Sequence, residues 1–285
     1  MATLKQIRSR IRTAKNIQQI TRAMKLVAAA RLKRATDRVL EARPYADKLK
    51  AVMGSIASAG DLPSHPLMEK RPVKNIGVIV ITSDRGLAGS YNTNVIRKTA
   101  DFIREQSADV ALIAVGKKGS TFFSKRKYNV LQSLSVPSSG ARLSDALEVS
   151  MIAREKFEAG ELDAIYVCYA KFYSPIRQVP QVVQLLPIEP VAGDAGGEAA
   201  AFDFEPDAES LLETLLPRYF RTLVWQAMVE STASEFGARM TAMTSATDNA
   251  GKMINELTLK ANRERQASIT KEILEVVGGA EALAG

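Results

Sequence analysis

The first 36 residues contain no aspartate or glutamate, and the first acidic side chain is Asp37. Ten cations precede it: Lys5, Arg8, Arg10, Arg12, Lys15, Arg22, Lys25, Arg31, Lys33 and Arg34. The formal net charge of the chain is +8, so the remainder of the sequence is nearly neutral. The positive charge is therefore concentrated in the N-terminal segment, and it predicts that this segment makes a polar contact.

Other absences exclude several classes of protein. The single cysteine, Cys168, cannot form an internal disulfide, and no cluster of cysteine and histidine is present to bind zinc. The only histidine, His65, lies in a proline-flanked loop without an evident catalytic partner. No apolar run approaches the roughly 18 residues that span a bilayer. We therefore expect no catalytic residue, no metal ligand and no cofactor-binding residue in this chain.

Three functions compete for the basic start: an organelle-targeting peptide, a nucleic-acid-binding arm, or one helix of a coiled coil that faces an acidic partner. The apolar spacing continues through Val39, Leu40, Leu49 and Val52, which a targeting peptide does not need. No aromatic residue interleaves with the cations, although base stacking favours one. The pattern favours a solvated helical face or an acidic protein partner.

Residues 2–57 are predicted to form one helix, with Thr3 and Gln6 as a capping box at its start. Pro44 is expected to kink or weaken it. Its predicted apolar seam follows a rhythm of three and four residues with one slip after Ala14: Leu4, Ile7, Ile11, Ala14, Ile17, Ile20, Met24 and Val27. A linker is expected over 58–72, where glycine and proline are frequent.

The middle of the chain, residues 73–190, has the pattern of a Rossmann-like α/β domain. Continuous β-branched runs predict buried strands at 76–84, 109–116 and 162–172, and prolines place a fourth at an edge, over 178–188. Helical patterns occupy 92–106 and 143–160, the second with Ser144 as its expected cap. This alternation predicts a layered domain with mostly parallel strands.

An acidic, flexible linker is expected over 191–207, before a second long helix over 208–285. Its predicted seam is Phe236, Met240, Met243, Thr247, Ala250, Ile254, Leu257 and Ala261. Gly251 leaves continuity open, because glycine costs about 1 kcal/mol in a helix. Pairing the two seams antiparallel gives the predicted fold: a long coiled coil of the N- and C-terminal helices with an inserted α/β domain.

The segment "SDRGLAGSYN" (83–92) follows a predicted buried strand and opens a helix, where phosphate-binding loops occur. It lacks the lysine and the serine or threonine of a P-loop, and it has too few glycines for the dinucleotide fingerprint. A tight strand-to-helix turn is the simpler interpretation. Two rival functions remain open beside the coiled-coil role, a nucleic-acid-binding coiled coil and a nucleotide-binding enzyme.

The sequence resembles the γ subunit of F-type ATP synthase. The resemblance rests on "MATLKQIRSRIRTAKNIQQITRAMKLVAAARL" at the start, on "SDRGLAGSYN", and on the C-terminal patterns "ARM-x-AM-x-x-ATDNA" and "N-x-x-RQA-x-IT-x-E". It implies that the paired helices form the central-stalk rotor, which couples rotation of a membrane c-ring to ATP synthesis and hydrolysis at the β-subunit catalytic sites. The chain itself would perform no chemistry and would be no enzyme on its own.

The resemblance also implies partners and site residues. One copy per complex would contact the α and β subunits of an α3β3 ring, the ε subunit and the c-ring, and would bind no nucleic acid. It would lie peripherally at the cytoplasmic side of the bacterial inner membrane. Coupling positions that contact the β subunit would be Met24, Lys25, Arg239, Gln266, Thr270 and Glu275. Asp84, Arg85, Gly86 and Gly89 would form a structural signature turn.

Overall fold

The computed structural model describes residues 3–58, 65–137, 139–189 and 208–284. The strands of this part of the chain are β1 (Asn75–Ile81), β2 (Asp109–Val115), β3 (Asn129–Leu134), β4 (Ala164–Ser174) and β5 (Arg177–Leu186). Its α-helices are α1 (Leu4–Ser58), α2 (Tyr91–Glu105), α3 (Lys117–Lys125), α4 (Leu143–Glu158) and α5 (Ala208–Ala284). A short 3₁₀ turn covers Pro66–Met68.

The two long helices are continuous. Both continue through a proline, Pro44 in α1 and Pro217 in α5. The helix α5 also continues through Gly251, so the question left open by its sequence is answered.

The chain divides into two compact units. The terminal unit comprises residues 1–27 and 240–285, and the central unit comprises residues 28–239. Each boundary falls inside a long helix and not at the end of one. Among the described residues, no helix is long and apolar enough to cross a membrane.

The central unit contains a five-stranded sheet in the order β3-β2-β1-β4-β5. The strand β1 pairs in parallel with β2 and with β4, and β2 pairs in parallel with β3. Only β5 is antiparallel, and it forms one edge, with Pro180 within it. The predicted α/β architecture with mostly parallel strands is confirmed. The helix α3 and the strand β3 are additions that the sequence pattern did not predict.

The sheet has a hydrophobic core on each face, because the side chains of β1 alternate between them. Ile79 and Ile81 belong to one core, which also contains Phe157 and Phe220. Ile76, Val78 and Val80 belong to the other core. The continuous β-branched run therefore reflects a strand that is buried on both faces.

Two helix starts can be compared with their predicted caps. At the start of α1, the Gln6 side chain accepts from the Thr3 backbone N–H at 3.0 Å, and the Thr3 hydroxyl accepts from the Gln6 N–H at 3.4 Å. The predicted capping box is confirmed. The prediction for α4 is wrong: Ser144 lies within the first turn, and Asp145 accepts from the backbone N–H of Arg142 at 2.8 Å.

Candidate functional site

Within the central unit, α5 crosses the carboxyl end of the sheet at β1 and β4. The Ser234 hydroxyl donates to the Ala170 carbonyl of β4 at 2.8 Å. The Ser231 hydroxyl is hydrogen-bonded to the Tyr91 hydroxyl at the start of α2, at 2.7 Å. In open parallel sheets the crevice beside the first strand, where the strand order reverses, is the usual ligand site. Here side chains of α5 fill that crevice.

One cavity beside β1 is small. A cavity of about 10 Å³ lies among Ile81, Thr82, Tyr91, Ser231 and Glu235. A volume of roughly 10–15 Å³ is the least that holds one water molecule. A nucleotide does not fit in this cavity. Among the described residues, no group of three or more potential metal-ligating side chains occurs.

The signature turn is fixed by backbone hydrogen bonds to its acidic residue. One oxygen of Asp84 accepts from the N–H of Lys117 at 2.9 Å and from the N–H of Val136 at 3.3 Å. Leu87 and Gly89 both have positive φ, at 62° and 54°, and Leu87 exposes 63% of its surface. Asp84 therefore connects the end of β1 to the segments that follow β2 and β3.

Arg239 connects this turn to α5. Its guanidinium donates to the Gly86 carbonyl at 3.2 Å and forms an ion pair with Glu235 at 2.6 Å, one helical turn earlier. Arg239 and Arg31 each lie 5.7 Å from the centre of the Phe236 ring, within the range of cation–π attraction. The guanidinium is thus bound inside its own chain, and only 11% of the Arg239 side chain is exposed.

The ionisation of Glu235 reflects its burial. Desolvation raises the pKa of this carboxyl, and the nearby Asp84 carboxylate raises that pKa further. The cations Arg239 and Arg31 oppose the rise. Burial also raises the pKa of the Tyr91 hydroxyl, which is fully enclosed. These four buried or half-buried residues and the hydrogen-bonded pair of Tyr91 and Ser231 form a largely buried polar network. The network joins α1, the signature turn and α5 within the central unit.

In the terminal unit, α1 and α5 run antiparallel and meet at a polar layer. The Thr247 hydroxyl donates to the Thr21 hydroxyl at 2.8 Å, and the Thr21 hydroxyl donates to the Ile17 carbonyl at 2.9 Å. Nearby, a Cβ built on Gly251 would lie 3.0 Å from Nε2 of Gln18. The small residue at 251 lets the two helices approach closely.

The predicted seam of α5 follows the observed burial, but that of α1 is wrong at Ile17, Ile20 and Val27. Every predicted α5 position from Phe236 to Ala261 is buried or half-buried. On α1 the inward positions continue without a slip, through Gln18 and Thr21, whereas Ile17 and Ile20 are 48% and 59% exposed. Polar side chains hold the regular spacing, and the apolar ones face outward.

The residues predicted to couple to a partner occupy three environments. Met24 and Lys25 are half-buried on α1, and Arg239 is buried. Gln266, Thr270 and Glu275 are exposed on α5, with the Thr270 hydroxyl donating to the Gln266 carbonyl at 3.0 Å and Glu275 paired to Lys271 at 3.6 Å. Arg239 contacts the backbone of the signature turn. The structure does not bring the six predicted coupling residues together into one site.

The chain is similar to known proteins along its whole length. The family described as "ATP synthase" matches residues 3–283. The ATP synthase gamma chain of Brevibacillus brevis is 47% identical over 285 residues, covering 99% of each chain. The chain belongs to the ATP synthase gamma-chain family. The predicted function of a central-stalk rotor subunit of ATP synthase is thereby confirmed.

Solved structures agree with gamma-chain membership. A chain from the central stalk and c-ring of Tetrahymena thermophila mitochondrial ATP synthase is 25% identical, with a TM-score of 0.61 over 80% of this chain and 99% of that one. A chain from the Euglena gracilis mitochondrial enzyme is 20% identical and shares the fold, with a TM-score of 0.71 over 98% of this chain and 94% of that one.

Sequence reasoning missed several members of the buried network in this gamma chain. Tyr91, Ser231 and Glu235 were not singled out, although Glu235 stands four residues before Arg239, the spacing of a helical ion pair. Tyr91 and Ser231 carry no such signal, because 140 residues separate them. Thr21 was missed because an apolar residue, Ile20, stood beside it in the sequence.

Proposed function

We propose that this chain is the rotating element that couples the c-ring of a proton-translocating ATP synthase to conformational change in the β subunits. It performs no chemistry itself. One copy acts per complex, held by the α3β3 ring and the ε subunit, at the cytoplasmic face of a bacterial inner membrane and without nucleic acid as a ligand. The solved relative from Tetrahymena, described with its c-ring, supports the choice of partners.

The observation that carries this proposal is the apolar surface of the terminal unit. Ile17, Ile20 and Leu26 of α1 are 48%, 59% and 64% exposed. Near the C-terminus, a second group is 48–72% exposed: Ile269, Ile273, Leu274, Val276 and Val277. Exposed apolar patches of this kind mark interaction surfaces. An enclosing ring of subunits would cover them.

Mechanically, the proposal is allostery by an asymmetric ligand. A helical pair that presents different residues on different sides would contact each surrounding β subunit unequally, so each subunit would adopt a different nucleotide affinity. Shifting a two-state subunit from 1:99 to 99:1 requires a differential binding free energy of about 5.5 kcal/mol. A packed helical surface can provide that difference through several apolar contacts of about 1.5–3 kcal/mol each.

The proposed rotor role assigns a different part to each segment of the chain. We assign the terminal parts of the helices at 1–57 and 208–285 to the shaft, 73–190 to an inserted domain for partners outside the ring, and 58–72 and 191–207 to the connections. Met24, Lys25, Gln266, Thr270 and Glu275 are proposed to contact the β subunit. Arg239 is proposed to act there indirectly, by fixing the helix against the signature turn formed by Asp84, Arg85, Gly86 and Gly89.

The first test is assembly. Tagged chain purified from its host should bring down the α and β subunits in stoichiometric amounts and carry one copy per complex. Mass measurement of the intact complex checks both points. Recovery of the chain without these subunits, or two copies per complex, would contradict the proposal.

The second test separates coupling from assembly. Met24→Lys adds a cation to a basic helix face, where it would form a new ion pair with an acidic partner loop and resist rotation. We expect ATP hydrolysis to remain largely intact while ATP-driven proton pumping falls several-fold. Met24→Leu, which keeps the apolar character, is the matched control. Equal loss of both activities in a normally assembled enzyme would count against the proposed role of Met24.

A further inference from the structure

The central unit contains a groove that is separate from the contacts proposed for the terminal unit. Its volume is about 630 Å³, within the usual range of roughly 300–1,000 Å³ for binding pockets. Three elements form it: α1, the start of α4, and α5. We name it the arginine groove, after Arg38, Arg142 and Arg221, which line it together with Glu41, Tyr45 and Trp225.

The charge of the arginine groove is unbalanced. Glu41 is the one carboxylate among its described lining residues, against three guanidinium groups. Arg142 reaches Asp145 only at 3.5 Å, and Arg38 donates to a backbone carbonyl, that of Ala141, at 3.3 Å. No described carboxylate lies within 4.0 Å of the side chains of Arg38 or Arg221. The groove therefore attracts carboxylates, and guanidinium groups bind them bidentately.

An apolar stripe begins where the groove ends. Leu143, Leu147 and Met151 recur every four residues on α4 and are 57%, 41% and 45% exposed. The adjoining face of this helix is buried, with Ala146 and Val149 in the core. Leu143 belongs to both features, since it also lines the groove. A helix that already buries one face has no internal use for a second apolar face.

The charge of the arginine groove and the apolar stripe on α4 together favour a peptide over a small anion as the ligand. A small anion would satisfy the arginines but would leave the stripe on α4 uncovered. A peptide segment can do both, with carboxylates in the groove and aliphatic side chains on the stripe. The aromatic rings of Tyr45 and Trp225 add surfaces of the type enriched in protein interfaces.

We propose that the arginine groove and the α4 stripe form one docking surface for an acidic, aliphatic segment of a partner protein. This surface lies in the central unit and is independent of the contacts proposed for the terminal unit. The docking surface can therefore fail its crosslinking test while the chain still acts as a rotor, because assembly and ATP hydrolysis are measured separately in the same preparations.

The test uses photo-crosslinking in the purified, assembled ATP synthase. A benzophenone amino acid replaces Leu147, and the adduct is identified by mass spectrometry. The expected adduct is one peptide that carries at least two carboxylates close to aliphatic residues. The same substitution at Ile176, an exposed apolar residue of the β4–β5 turn, serves as the matched control for adducts formed by exposure alone.

Charge reversal supplies the second arm. Arg142→Glu with Arg221→Glu should lower the yield of the Leu147 adduct about fivefold or more, since both attractions become repulsions. Arg97→Glu with Lys98→Glu, on the exposed side of α2, changes the net charge equally and should leave the yield unchanged. Where the reversed subunit does not assemble, Arg142→Gln with Arg221→Gln replaces it, and a smaller loss of the same adduct is expected.

Several results would overturn the proposal. These are an adduct shared with the Ile176 control, an adduct peptide without carboxylates, no adduct, or a yield that charge reversal does not change. A lipid adduct at Leu147 would show instead that the surface faces an anionic membrane. Circular dichroism reports whether each variant is folded, because the spectrum of the isolated full-length subunit should match that of the unmodified chain.

Discussion

The two units of this chain differ in where their apolar side chains go. In the central unit the strands β1 and β2 bury almost all of theirs in two cores. In the terminal unit Ile20 and Leu274 are 59% and 67% exposed, while Thr21 and Thr247 lie inside the helical pair. The central unit therefore has large cores of its own, and the α4 stripe is an exception on its surface. In the terminal unit, small and polar side chains lie between the two helices. Its larger apolar side chains are exposed, and we propose that other proteins cover them.

The largest expected effect comes from truncating one apolar residue in each unit. Phe157→Ala leaves a cavity beside fully buried neighbours, so we expect a loss of about 3–5 kcal/mol in the free energy of unfolding. Ile273→Ala removes a side chain that is 57% exposed, and the isolated chain should change by less than about 0.5 kcal/mol. Urea unfolding followed by circular dichroism measures both. Equal losses would remove the distinction between the units.

The second prediction compares two ion pairs of the same spacing, one from each unit. Arg239 and Glu235 are 11% and 14% exposed, whereas Lys271 and Glu275 are 78% and 65% exposed. Arg239→Ala leaves a buried carboxylate without its partner and should cost about 3 kcal/mol or more. Lys271→Ala should cost at most about 1 kcal/mol, because solvent screens that pair.

The readout for both pairs is urea unfolding monitored by Trp225 fluorescence and by circular dichroism. Since Trp225 lies in the central unit, Arg239→Ala should shift the fluorescence transition, and Lys271→Ala should leave it in place. Arg239→Lys keeps the charge but not the planar group that reaches Gly86, so it should recover only part of the loss. Full recovery by lysine would contradict the importance assigned to the bond with the turn.

The third prediction concerns the pH dependence of the stability of the central unit, which contains Glu235. Because burial raises the pKa of Glu235, the folded chain keeps a proton on this carboxyl at pH values where the unfolded chain has released it. The contribution of Glu235 to stability is therefore greatest below the ordinary glutamate pKa, and it falls as pH rises through the raised value. Glu235→Gln should flatten this slope in the fluorescence transition. An unchanged slope would show that Glu235 does not titrate in that range.

Much of the central unit could be predicted from its sequence, because strands buried on both faces carry an unmistakable pattern. The strand β3 could not, since Asn129–Leu134 is an edge strand with mostly exposed or half-buried side chains and no strong periodicity. The arginine groove was also beyond prediction. Arg38, Arg142 and Arg221 come from three distant parts of the chain, and only the fold brings them together.

The seam of α1 shows a different limit. Hydrophobicity indicates that a side chain is to be buried, but it does not indicate whether its own chain or another protein buries it. Ile17 and Ile20 attracted the predicted seam, although Gln18 and Thr21 hold the inward positions. The corresponding positions on α5 were predicted correctly, because apolar or small residues fill that seam without interruption. Arg239 illustrates the converse, a charged residue expected at a partner contact that is bound within its own chain.

The fourth prediction tests the polar layer that replaces apolar packing in the terminal unit. Thr21→Val or Thr247→Val removes one hydroxyl from the pair at 2.8 Å and should cost about 1 kcal/mol. The double variant should cost less than the sum, because both single variants lose the same hydrogen bond and the remaining hydroxyl still donates to the carbonyl four residues earlier. Hydrogen exchange of the α1 and α5 amides measures the local stability. Simple additivity would show that the two hydroxyls do not interact.

The smallest expected effect concerns the close approach at Gly251. Gly278→Ala adds a Cβ where nothing lies within 4 Å, so it should raise the stability of α5 by about 0.5–1 kcal/mol through helix propensity alone. Gly251→Ala should gain less, since its Cβ would lie 3.0 Å from the Gln18 amide nitrogen. In a Gln18→Ala background the gain at 251 should return to that at 278. Hydrogen exchange of neighbouring amides compares the two sites, and an equal gain at both in the unmodified background would show that the helices do not constrain this position.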